Sequence, residues 1–336
     1  ERLADAILAT LGDGFRFGAD EFAITASIGI ARAPEDGERP QLLIRNADAA
    51  MYESKRRMRN GRQAFTPAMA QSQRDRLRFE TQLRHAVDND EFHLVYQPQV
   101  DLRSGRIVAA EALIRWESRL GEMRPDHFIA QAESTGDIVR IGGWVLREAC
   151  RQAAAWRDAG LGIVRVAVNV SYRQFLGDDL ARTVAETLQA FGLPGAALEL
   201  EFTERVLIED APETLRTFAQ LRAQGVLLTI DDFGEGYSAL NYLRRLPIHG
   251  LKLSQLFVEG VPGNPSDVAV CQAVSGIARS LGLGLVAEGV ESEQQRLFLQ
   301  ELGVPVGQGF LFAPGLLPDE FARRIATPPV STVSDG

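Results

Sequence analysis

Acidic, amide and basic side chains recur at the carboxyl ends of the apolar runs of this sequence. They are Glu111, Asn169, Glu201 with Glu204, the pair Asp231 and Asp232, Lys252, Glu288 with Glu291, and Gln308. Carboxylate and amide oxygens are hard ligands, which suit Mg2+ or Mn2+. So many acidic groups in one place would repel one another unless divalent cations neutralised them. The pattern therefore indicates a two-metal site, of the kind that activates a water and stabilises the leaving oxygen in phosphodiester hydrolysis.

Other interpretations of these residues are less consistent with the pattern. A zinc site is disfavoured because no two of the histidines, which are His85, His93, His127 and His249, have a zinc-ligand spacing. Each acidic residue alone would more often be a helix cap, a surface charge or a salt-bridge partner. Their joint position at successive run ends favours a functional site.

Alternating apolar runs and helical patterns predict the fold that would gather these residues. The runs cover residues 93–97, 107–116, 164–170, 198–202, 227–231, 250–253, 283–288 and 309–312. Helical stretches such as 144–156, 212–224 and 268–281 separate most of them. Eight strand–helix units favour an α/β fold, an irregular (βα)8 barrel of the TIM type, with its active site at the carboxyl ends of the strands. The connection Asp101–Gly105 is too short for a helix and predicts one antiparallel strand pair.

Length, composition and charge narrow the classes of function. The chain has 336 residues, 45% of them hydrophobic, and a formal net charge of -9. This length allows about two domains. The negative charge argues against a nucleic acid polymer as partner, but not against a small charged ligand. No apolar run approaches the roughly 18 residues of a membrane span. We expect Cys150 and Cys271 to be buried free thiols of a cytoplasmic protein.

The first 65 residues show a different pattern, with a helix at 3–11, a strand at 22–33 and a helix at 48–57. A single strand has no partner, so we expect half a domain that needs strands from elsewhere. Because residue 1 is a Glu within a helical stretch, we expect a fragment of a longer chain that lacks any upstream sensor domain. A helical linker at 66–80, the barrel at 81–326 and a flexible tail at 327–336 complete the predicted organisation.

The strand-end motifs resemble those of the EAL family of cyclic di-GMP phosphodiesterases, from about Phe79 to about Arg324. The motifs are Tyr96-Gln-Pro98, Glu111-Ala-Leu-Ile-Arg-Trp116, Asn169-Val-Ser171, Glu201-Phe-Thr-Glu204, Asp231-Asp-Phe-Gly234, Lys252, Ala287-Glu-Gly-Val-Glu291 and Gln308-Gly309. The resemblance implies hydrolysis of cyclic di-GMP to linear pGpG with two divalent cations, Mg2+ or Mn2+. It also implies a homodimer formed through the loop and helix after Asp232.

The resemblance further implies a role for each site residue. Glu111, Asn169, Glu201 and Asp231 would hold one metal, and Asp231 and Asp232 would reach the second. Lys252 would contact the attacking water or the phosphate, and Glu288 would act as general base or complete the metal ligands. Gln97, Arg115 and Gln308 would contact the dinucleotide, and Glu204 and Glu291 would fix the loop and the surroundings of the ligands.

Three positions depart from the family pattern. Glu235 stands where the family usually has Thr or Ala, Ser254 replaces an Asp that usually follows the lysine motif, and His249 replaces another Asp. Ser254 removes a carboxylate near the site, which bears on rate and metal affinity more than on the reaction type. A non-hydrolysing cyclic di-GMP receptor is therefore the main alternative. A Schiff-base aldolase is disfavoured because Lys252 among carboxylates would keep its proton.

The glycine-rich stretch that follows Asp232 lacks both the Walker lysine and a GxGxxG spacing. We predict a flexible loop over the metal site, with Gly234 and Gly236 as hinges.

Residues 1–65 resemble the C-terminal part of a GGDEF, diguanylate-cyclase-like domain. The resemblance rests on Ala23-Ile-Thr-Ala-Ser-Ile-Gly-Ile-Ala31 and Ala47-Asp-Ala-Ala-Met-Tyr-Glu-Ser-Lys55. Gly18-Ala-Asp-Glu-Phe22 is one substitution from the family signature, but it adjoins the strand that the signature should precede by some tens of residues. We therefore interpret Asp20 and Glu21 as hairpin residues and expect this chain alone to make no cyclic di-GMP.

Overall fold

The computed structural model describes residues 1–12, 14–17, 20–22, 24–57, 60–118, 121–162, 164–177, 179–207, 212–235 and 243–326. The chain divides into two compact units, Glu1–Gln82 and Leu83–Gly336. The predicted tail at 327–336, the predicted hinge Gly236 and the start of the predicted dimer helix lie outside the described residues.

The first unit contains short strands and two helices, and a third helix begins in it. These elements are α1 (Arg2–Gly12), β1 (Phe15–Phe17), β2 (Asp20–Phe22), β3 (Ser27–Ile30), α2 (Pro40–Arg57), β4 (Gly61–Ala64) and α3 (Pro67–Ala86). Strands β1 and β2 form an antiparallel hairpin in which Phe17 pairs with Asp20 and Arg16 with Glu21. This pairing confirms the interpretation of Asp20 and Glu21 as hairpin residues.

The prediction that the strand of the first unit has no partner in this chain is wrong. Strand β3 pairs in parallel with β4, from Ser27 with Gly61 to Ile30 with Ala64. The β4 sequence, Gly-Arg-Gln-Ala, lacks the β-branched and aromatic residues that mark a strand. Helix α2 lies so close to β3 that a Cβ on Gly29 would stand 1.9 Å from the Ala47 carbonyl oxygen. Only glycine fits there.

The second unit is a closed barrel with an additional strand. Within the described ranges its strands are β5 (Phe92–Asp101), β6 (Ile107–Ser118), β7 (Gly121–Met123), β8 (Arg165–Val170), β9 (Leu198–Thr203), β10 (Leu227–Phe233), β11 (Gly250–Leu253), β12 (Gly284–Ala287) and β13 (Val306–Gly307). Strand β5 closes the ring because it pairs with both β6 and β13, antiparallel to each. The other neighbours in the ring are parallel. Strand β7 pairs with β6 outside the ring.

This architecture confirms the predicted irregular barrel and its antiparallel hairpin, but the last strand is displaced. The strand lies at Val306–Gly307 and not at 309–312. The backbone N–H groups of Phe312 and Ala313 both donate to the Gly309 carbonyl, so residues 309–313 form turns. A short apolar run such as Phe310–Phe312 suits either conformation, and periodicity alone does not distinguish them.

Helices surround the barrel. They are α4 (Pro125–Thr135), α5 (Ile138–Trp156), α6 (Tyr172–Phe175), α7 (Leu180–Phe191), α8 (Pro212–Ala223), α9 (Gln255–Val258), α10 (Pro265–Leu281), α11 (Glu293–Glu301) and α12 (Pro318–Ala326), with shorter turns at Arg157–Leu161, Gly195–Ala197 and Glu204–Leu207. The bounds of α10 follow from its sequence. The Asn264 side chain accepts from the Ser266 N–H, Pro265 fits the first turn, and Gly282 ends the helix with a φ of 68°.

Aromatic side chains fill the space between the barrel and its helices. Trp116 and Trp156 are buried. The Trp116 ring packs edge to face on Phe128, and the Trp156 ring stacks on Phe321. Cys150 and Cys271 are buried free thiols, which confirms the predicted burial and the predicted absence of a disulfide between them. Among the described helices, none combines the length and the hydropathy that a bilayer crossing requires.

Candidate functional site

Parallel strand pairing brings the predicted site residues to one end of the barrel. Asn169 of β8 stands beside Glu201 of β9, and Glu201 stands beside Thr229 of β10. Across the hairpin, Glu111 of β6 pairs with Gln97 of β5, so both side chains point to the same face. Because the carboxyl ends of parallel strands meet at one edge, the barrel forms a common mouth for these groups.

Lys252 lies at the centre of this cluster and is fully buried. Its Nζ is 2.9 Å from Glu201 Oε2 and 3.3 Å from both Glu111 Oε2 and Asp231 Oδ1. The distance from Nζ to Glu288 Oε1 is 2.5 Å. Burial by itself would lower the pKa of Lys252, but these four carboxylates, Asp231 first, hold it well above its usual value. The amine is therefore charged, which agrees with the argument against Schiff-base chemistry.

Glu111 and Glu201 share the same ammonium group and have opposite pKa shifts. Burial opposes ionisation of Glu111, but the charge of Lys252 and hydrogen bonds from Gln308 and Asn169 lower its pKa. The Asn169 amide donates to Glu111 Oε1 at 2.6 Å, and the Gln308 amide donates to Glu111 Oε2. Burial raises the pKa of Glu201 well above its usual value despite the charge of Lys252. The inner cluster thus combines one stabilised carboxylate with one that favours a proton.

Asp231, Asp232 and Glu288 form a second group nearer the solvent. Ligand oxygens of these three residues lie within 4.8 Å of one another, close enough to share a metal ion. Burial, followed by the charge of Asp231, raises the pKa of Asp232 to about 6. Burial also raises the pKa of Glu288 to about 8, although Lys252 opposes the shift. Without cations, the pKa of Glu288 therefore lies above neutral pH, and that of Asp232 lies below it.

The backbone at Asp232 has a conformation that directs its side chain away from the regular strand. Its φ is 52°, in the left-handed region that Asp tolerates better than most residues. The Asp232 N–H donates to Asp231 Oδ1 at 3.0 Å, and the pairing of β10 with β11 shifts register between Ile230 and Phe233. Adjacent residues of one strand normally face opposite sides. The irregularity explains how Asp231 and Asp232 both reach the mouth.

Gln97 and Gln308, which are predicted to contact the dinucleotide, are hydrogen-bonded to each other in the structure. The Gln308 amide donates to Gln97 Oε1 at 2.9 Å, and the Gln97 amide donates to the Ala313 carbonyl at 3.2 Å. Arg115 lies four residues beyond Glu111 on the same face of β6 and is half-buried. Its guanidinium donates to the Ile114 carbonyl. Arg115 follows the last β6 residue that pairs with β8, which places it at the rim of the mouth.

The two glutamates assigned to the loop and the ligand surroundings lie in different environments. Glu204 is buried, and its Oε2 accepts from the Gly234 N–H at 3.4 Å, which places it beneath the turn that follows Asp232. Glu291 is exposed. Its backbone N–H donates to the Gln295 side chain at the start of α11. The structure thus brings Glu204 to the loop, whereas Glu291 lies outside the cluster.

Two further features of the site were not among the predictions from the sequence. Gln99 is fully buried, and its amide lies 3.5 Å from Glu201 Oε1. Its spacing of two residues from Gln97 on the same strand would have indicated it. The Ser254 hydroxyl donates to the Glu235 carboxylate, so two positions that depart from the family pattern contact each other. No pattern in the sequence indicates that contact.

The donor groups fit hard divalent cations on the outer side of the cluster. Asp231, Asp232 and Glu288 offer oxygens at ligand spacing, and oxygen ligands of this type suit Mg2+ or Mn2+. Asn169 presents its nitrogen to Glu111, so its amide must turn over to offer an oxygen to a cation. The Lys252 ammonium contacts the inner carboxylates and neutralises part of their negative charge.

Comparisons with known sequences support the assignment that the site suggests. Residues 80–315 match the family described as EAL domain, and residues 1–61 match the family described as diguanylate cyclase, GGDEF domain. The bifunctional diguanylate cyclase/cyclic di-GMP phosphodiesterase MucR of Pseudomonas aeruginosa is 39% identical over 325 residues, which are 96% of this chain and 47% of that protein. The cyclic di-GMP phosphodiesterase PdeR of Escherichia coli is 39% identical over 324 residues, or 96% of this chain and 49% of that protein. This chain thus spans about half the length of these relatives.

Solved structures agree with the sequence comparisons. A structure described as PaMucR phosphodiesterase in a c-di-GMP complex superposes with a TM-score of 0.70 at 40% identity and covers 73% of this chain and 99% of that one. The EAL domain of Mycobacterium smegmatis DcpA superposes with a TM-score of 0.62 at 37% identity and covers 70% of this chain and 98% of that one. With its matching barrel and strand-end motifs, the chain belongs to the EAL domain family, preceded by a partial GGDEF segment.

Proposed function

We propose that this chain hydrolyses cyclic di-GMP to linear pGpG at the mouth of the barrel. The observation that carries the proposal is the cluster in which Lys252 contacts four carboxylates while Asp231, Asp232 and Glu288 share ligand spacing. Two relatives are named as cyclic di-GMP phosphodiesterases, and a similar solved structure is a c-di-GMP complex, which supports this substrate.

Two divalent cations, Mg2+ or Mn2+, would be held by the chain's own oxygens. Glu111, Asn169, Glu201 and Asp231 would hold one, and Asp231 and Asp232 would reach the other. When bound, such cations make a nucleophile available from water near neutral pH and neutralise charge that develops on the phosphate oxygens. Burial and the charge of Asp231 raise the pKa of Asp232 and Glu288, which supports this assignment because a nearby cation would stabilise both carboxylates.

Glu288 would accept a proton from water, and Lys252 would stabilise the negative charge of the phosphate. The Glu288 carboxylate is held 2.5 Å from the ammonium of Lys252, so its position in the mouth is fixed. Burial gives it a pKa of about 8, which suits a group that accepts a proton from water near neutral pH. The charged Lys252 remains a donor throughout and would stabilise the anionic phosphate.

The amides and the arginine at the mouth would orient the dinucleotide. Gln97 and Gln308 hold each other through a hydrogen bond, so their remaining polar atoms have fixed directions. Arg115 at the rim would contact a phosphate, for which a guanidinium has matching geometry. These contacts would align the scissile bond with Glu288.

A cyclic di-GMP receptor that binds without hydrolysis is the second candidate function. The observation that favours it is Ser254, whose hydroxyl stands where the family usually has a carboxylate and contacts Glu235.

Two further points stay predictions. They are the homodimer formed through the loop and helix after Asp232, and the cytoplasmic location.

The experiment that separates the two functions is a product assay. The protein is incubated with cyclic di-GMP and Mn2+, and the nucleotides are separated by chromatography, with a parallel reaction in excess EDTA. The proposal predicts that pGpG accumulates with Mn2+ and not with EDTA. If the protein binds cyclic di-GMP but forms no pGpG with Mn2+, it is a receptor. Full hydrolysis after exhaustive chelation would exclude a metal-dependent reaction.

A further inference from the structure

The turn after β10 contacts the structure around it on two sides. The Glu235 N–H donates to the Asp232 carbonyl at 3.3 Å and closes a turn over residues 232–235. Gly234 has a φ of 105°, and a Cβ there would lie 3.0 Å from the Phe257 ring of α9. On the side of β9, the Gly234 N–H contacts the Glu204 carboxylate. The turn is therefore confined between β9 and α9.

Ser254 joins this turn to the start of α9. Its hydroxyl donates to Glu235 and accepts from the Leu256 N–H at 3.2 Å as the cap of α9. Ser254 is only 2% exposed, so water competes little for the hydrogen bonds of its hydroxyl. Glu235 by contrast is exposed. A hydrogen bond from a buried hydroxyl to an ionised carboxylate is stronger than a neutral one and fixes the position of the exposed partner.

The carboxylate of Glu235 adds to the negative charge around Asp232. Burial, followed by the charges of Asp231, Glu235 and Glu111, disfavours ionisation of Asp232, and the charge of Lys252 opposes them. Like charges at short range repel one another, and this repulsion disappears when a divalent cation binds between them.

We propose that Glu235 and Ser254 form a latch that positions Asp232 for cation binding. The latch is the hydrogen bond between the two side chains. It holds the 232–235 turn against α9 and so maintains the left-handed backbone from which Asp232 faces Asp231 and Glu288. The inference rests on the proposed function, because it takes Asp232 as a cation ligand. Glu235 and Ser254 are positioning residues and do not contact the substrate.

Mn2+ affinity, measured by electron paramagnetic resonance of the free ion, tests the latch without reference to catalysis. The variants are Glu235→Ala, Glu235→Gln, Ser254→Ala and the Ser254→Ala/Glu235→Ala double variant. We expect each alanine variant to weaken Mn2+ binding by roughly tenfold, the size expected for one charge-assisted hydrogen bond. The double variant should be no weaker than the worse single variant. Glu235→Gln keeps an oxygen for the Ser254 hydroxyl and should lose less than Glu235→Ala.

Asn264→Ala supplies the matched control for the helix cap that Ser254→Ala also removes. Asn264 caps α10 in the same way, through its side-chain oxygen and the Ser266 N–H, and it is exposed. The control should bind Mn2+ as the wild type does. Thermal unfolding of every variant checks that the fold is retained. Because Glu235 is exposed, its variants should fold, and their Mn2+ affinity tests the latch even if Ser254→Ala does not fold.

Several results would overturn the latch. One is an unchanged Mn2+ affinity in both alanine variants. Another is a double variant whose loss of Mn2+ affinity is the product of the two single losses. A third is an equal loss of affinity in Glu235→Gln and Glu235→Ala, and a fourth is a loss in Asn264→Ala as large as that in Ser254→Ala.

In turnover assays the latch predicts a fall in kcat with little change in KM. If the wild type yields no pGpG while the Mn2+ pattern holds, the proposed function fails and the latch stands. If the wild type yields pGpG while the variants bind Mn2+ normally, only the latch fails.

Discussion

The ammonium of Lys252 lies 2.5 Å from the carboxylate of Glu288, and this ion pair joins β11 to the segment after β12. Both partners are also tied to the remaining carboxylates of the mouth, because Lys252 contacts Glu111, Glu201 and Asp231 at the same time. One buried positive charge thus holds together acidic groups from β6, β9, β10 and the end of β12.

Removal of the central charge should destabilise the protein. Lys252→Ala leaves four carboxylates around an empty space without compensation, and breaking a buried ion pair costs about 3–5 kcal/mol. We expect a loss of that size in urea unfolding of the metal-free protein. Mn2+ should raise the unfolding midpoint of the variant more than that of the wild type, because a cation replaces the lost charge. Equal stability of variant and wild type in EDTA would contradict the description of Lys252 as the centre of the cluster.

Glu111→Ala should lower turnover by orders of magnitude. Glu111 accepts hydrogen bonds from Asn169 and Gln308 and contacts Lys252, so its loss removes a proposed cation ligand and frees three partners. The rate of pGpG formation under saturating Mn2+ is the measurement. Glu293→Ala is the control, because Glu293 is an exposed partner of Arg296 on α11. An unchanged rate in Glu111→Ala would remove Glu111 from the site.

Glu288→Gln should lower kcat by about 100-fold to 10,000-fold, the range for loss of a general base. The amide has the shape of the carboxylate and still accepts a hydrogen bond from Lys252, so the fold should be retained. Steady-state kinetics with cyclic di-GMP measure the effect, and KM should change little. A variant with wild-type kcat would show that another group accepts the proton.

Mn2+ affinity should rise with pH. The pKa of Asp232 is raised to about 6 and that of Glu288 to about 8 in the metal-free protein, so both groups hold protons that a cation must displace. Below pH 6 both protons compete with the metal, and above pH 8 neither does. We expect the affinity to increase by roughly tenfold or more from pH 6 to pH 8. Calorimetry in buffers of different ionisation enthalpy should show proton release, and Glu288→Gln should release fewer protons than the wild type. Affinity that does not depend on pH would contradict these shifts.

Much of the barrel and its mouth could be predicted because strand ends obey a simple geometric rule. Glu111, Asn169, Glu201, Asp231 and Lys252 each lie on an apolar run, and parallel runs bring their carboxyl ends to one edge. The positions of these residues on the apolar runs were therefore sufficient to predict that they share one site. The short link Asp101–Gly105 predicted the antiparallel pair for the same reason.

Other features depend on tertiary contacts that leave no pattern in the sequence. Strand β4 forms because its backbone pairs with β3, although Gly61–Ala64 has no strand pattern. The contact between Glu235 and Ser254 depends on the left-handed backbone at Asp232, which a β pattern does not predict. Glu291 was assigned by its motif, but its backbone joins the cap of α11 while its side chain is exposed.

The number and location of cations in a crystal of the protein with Mn2+ and cyclic di-GMP or its product test the central claim most directly. Anomalous diffraction at the manganese edge identifies each ion. The proposed mechanism predicts two ions at the barrel mouth, with Asp231 in contact with both and Asp232 with one. A fully occupied nucleotide site with no manganese at Asp231 and Asp232 would contradict it.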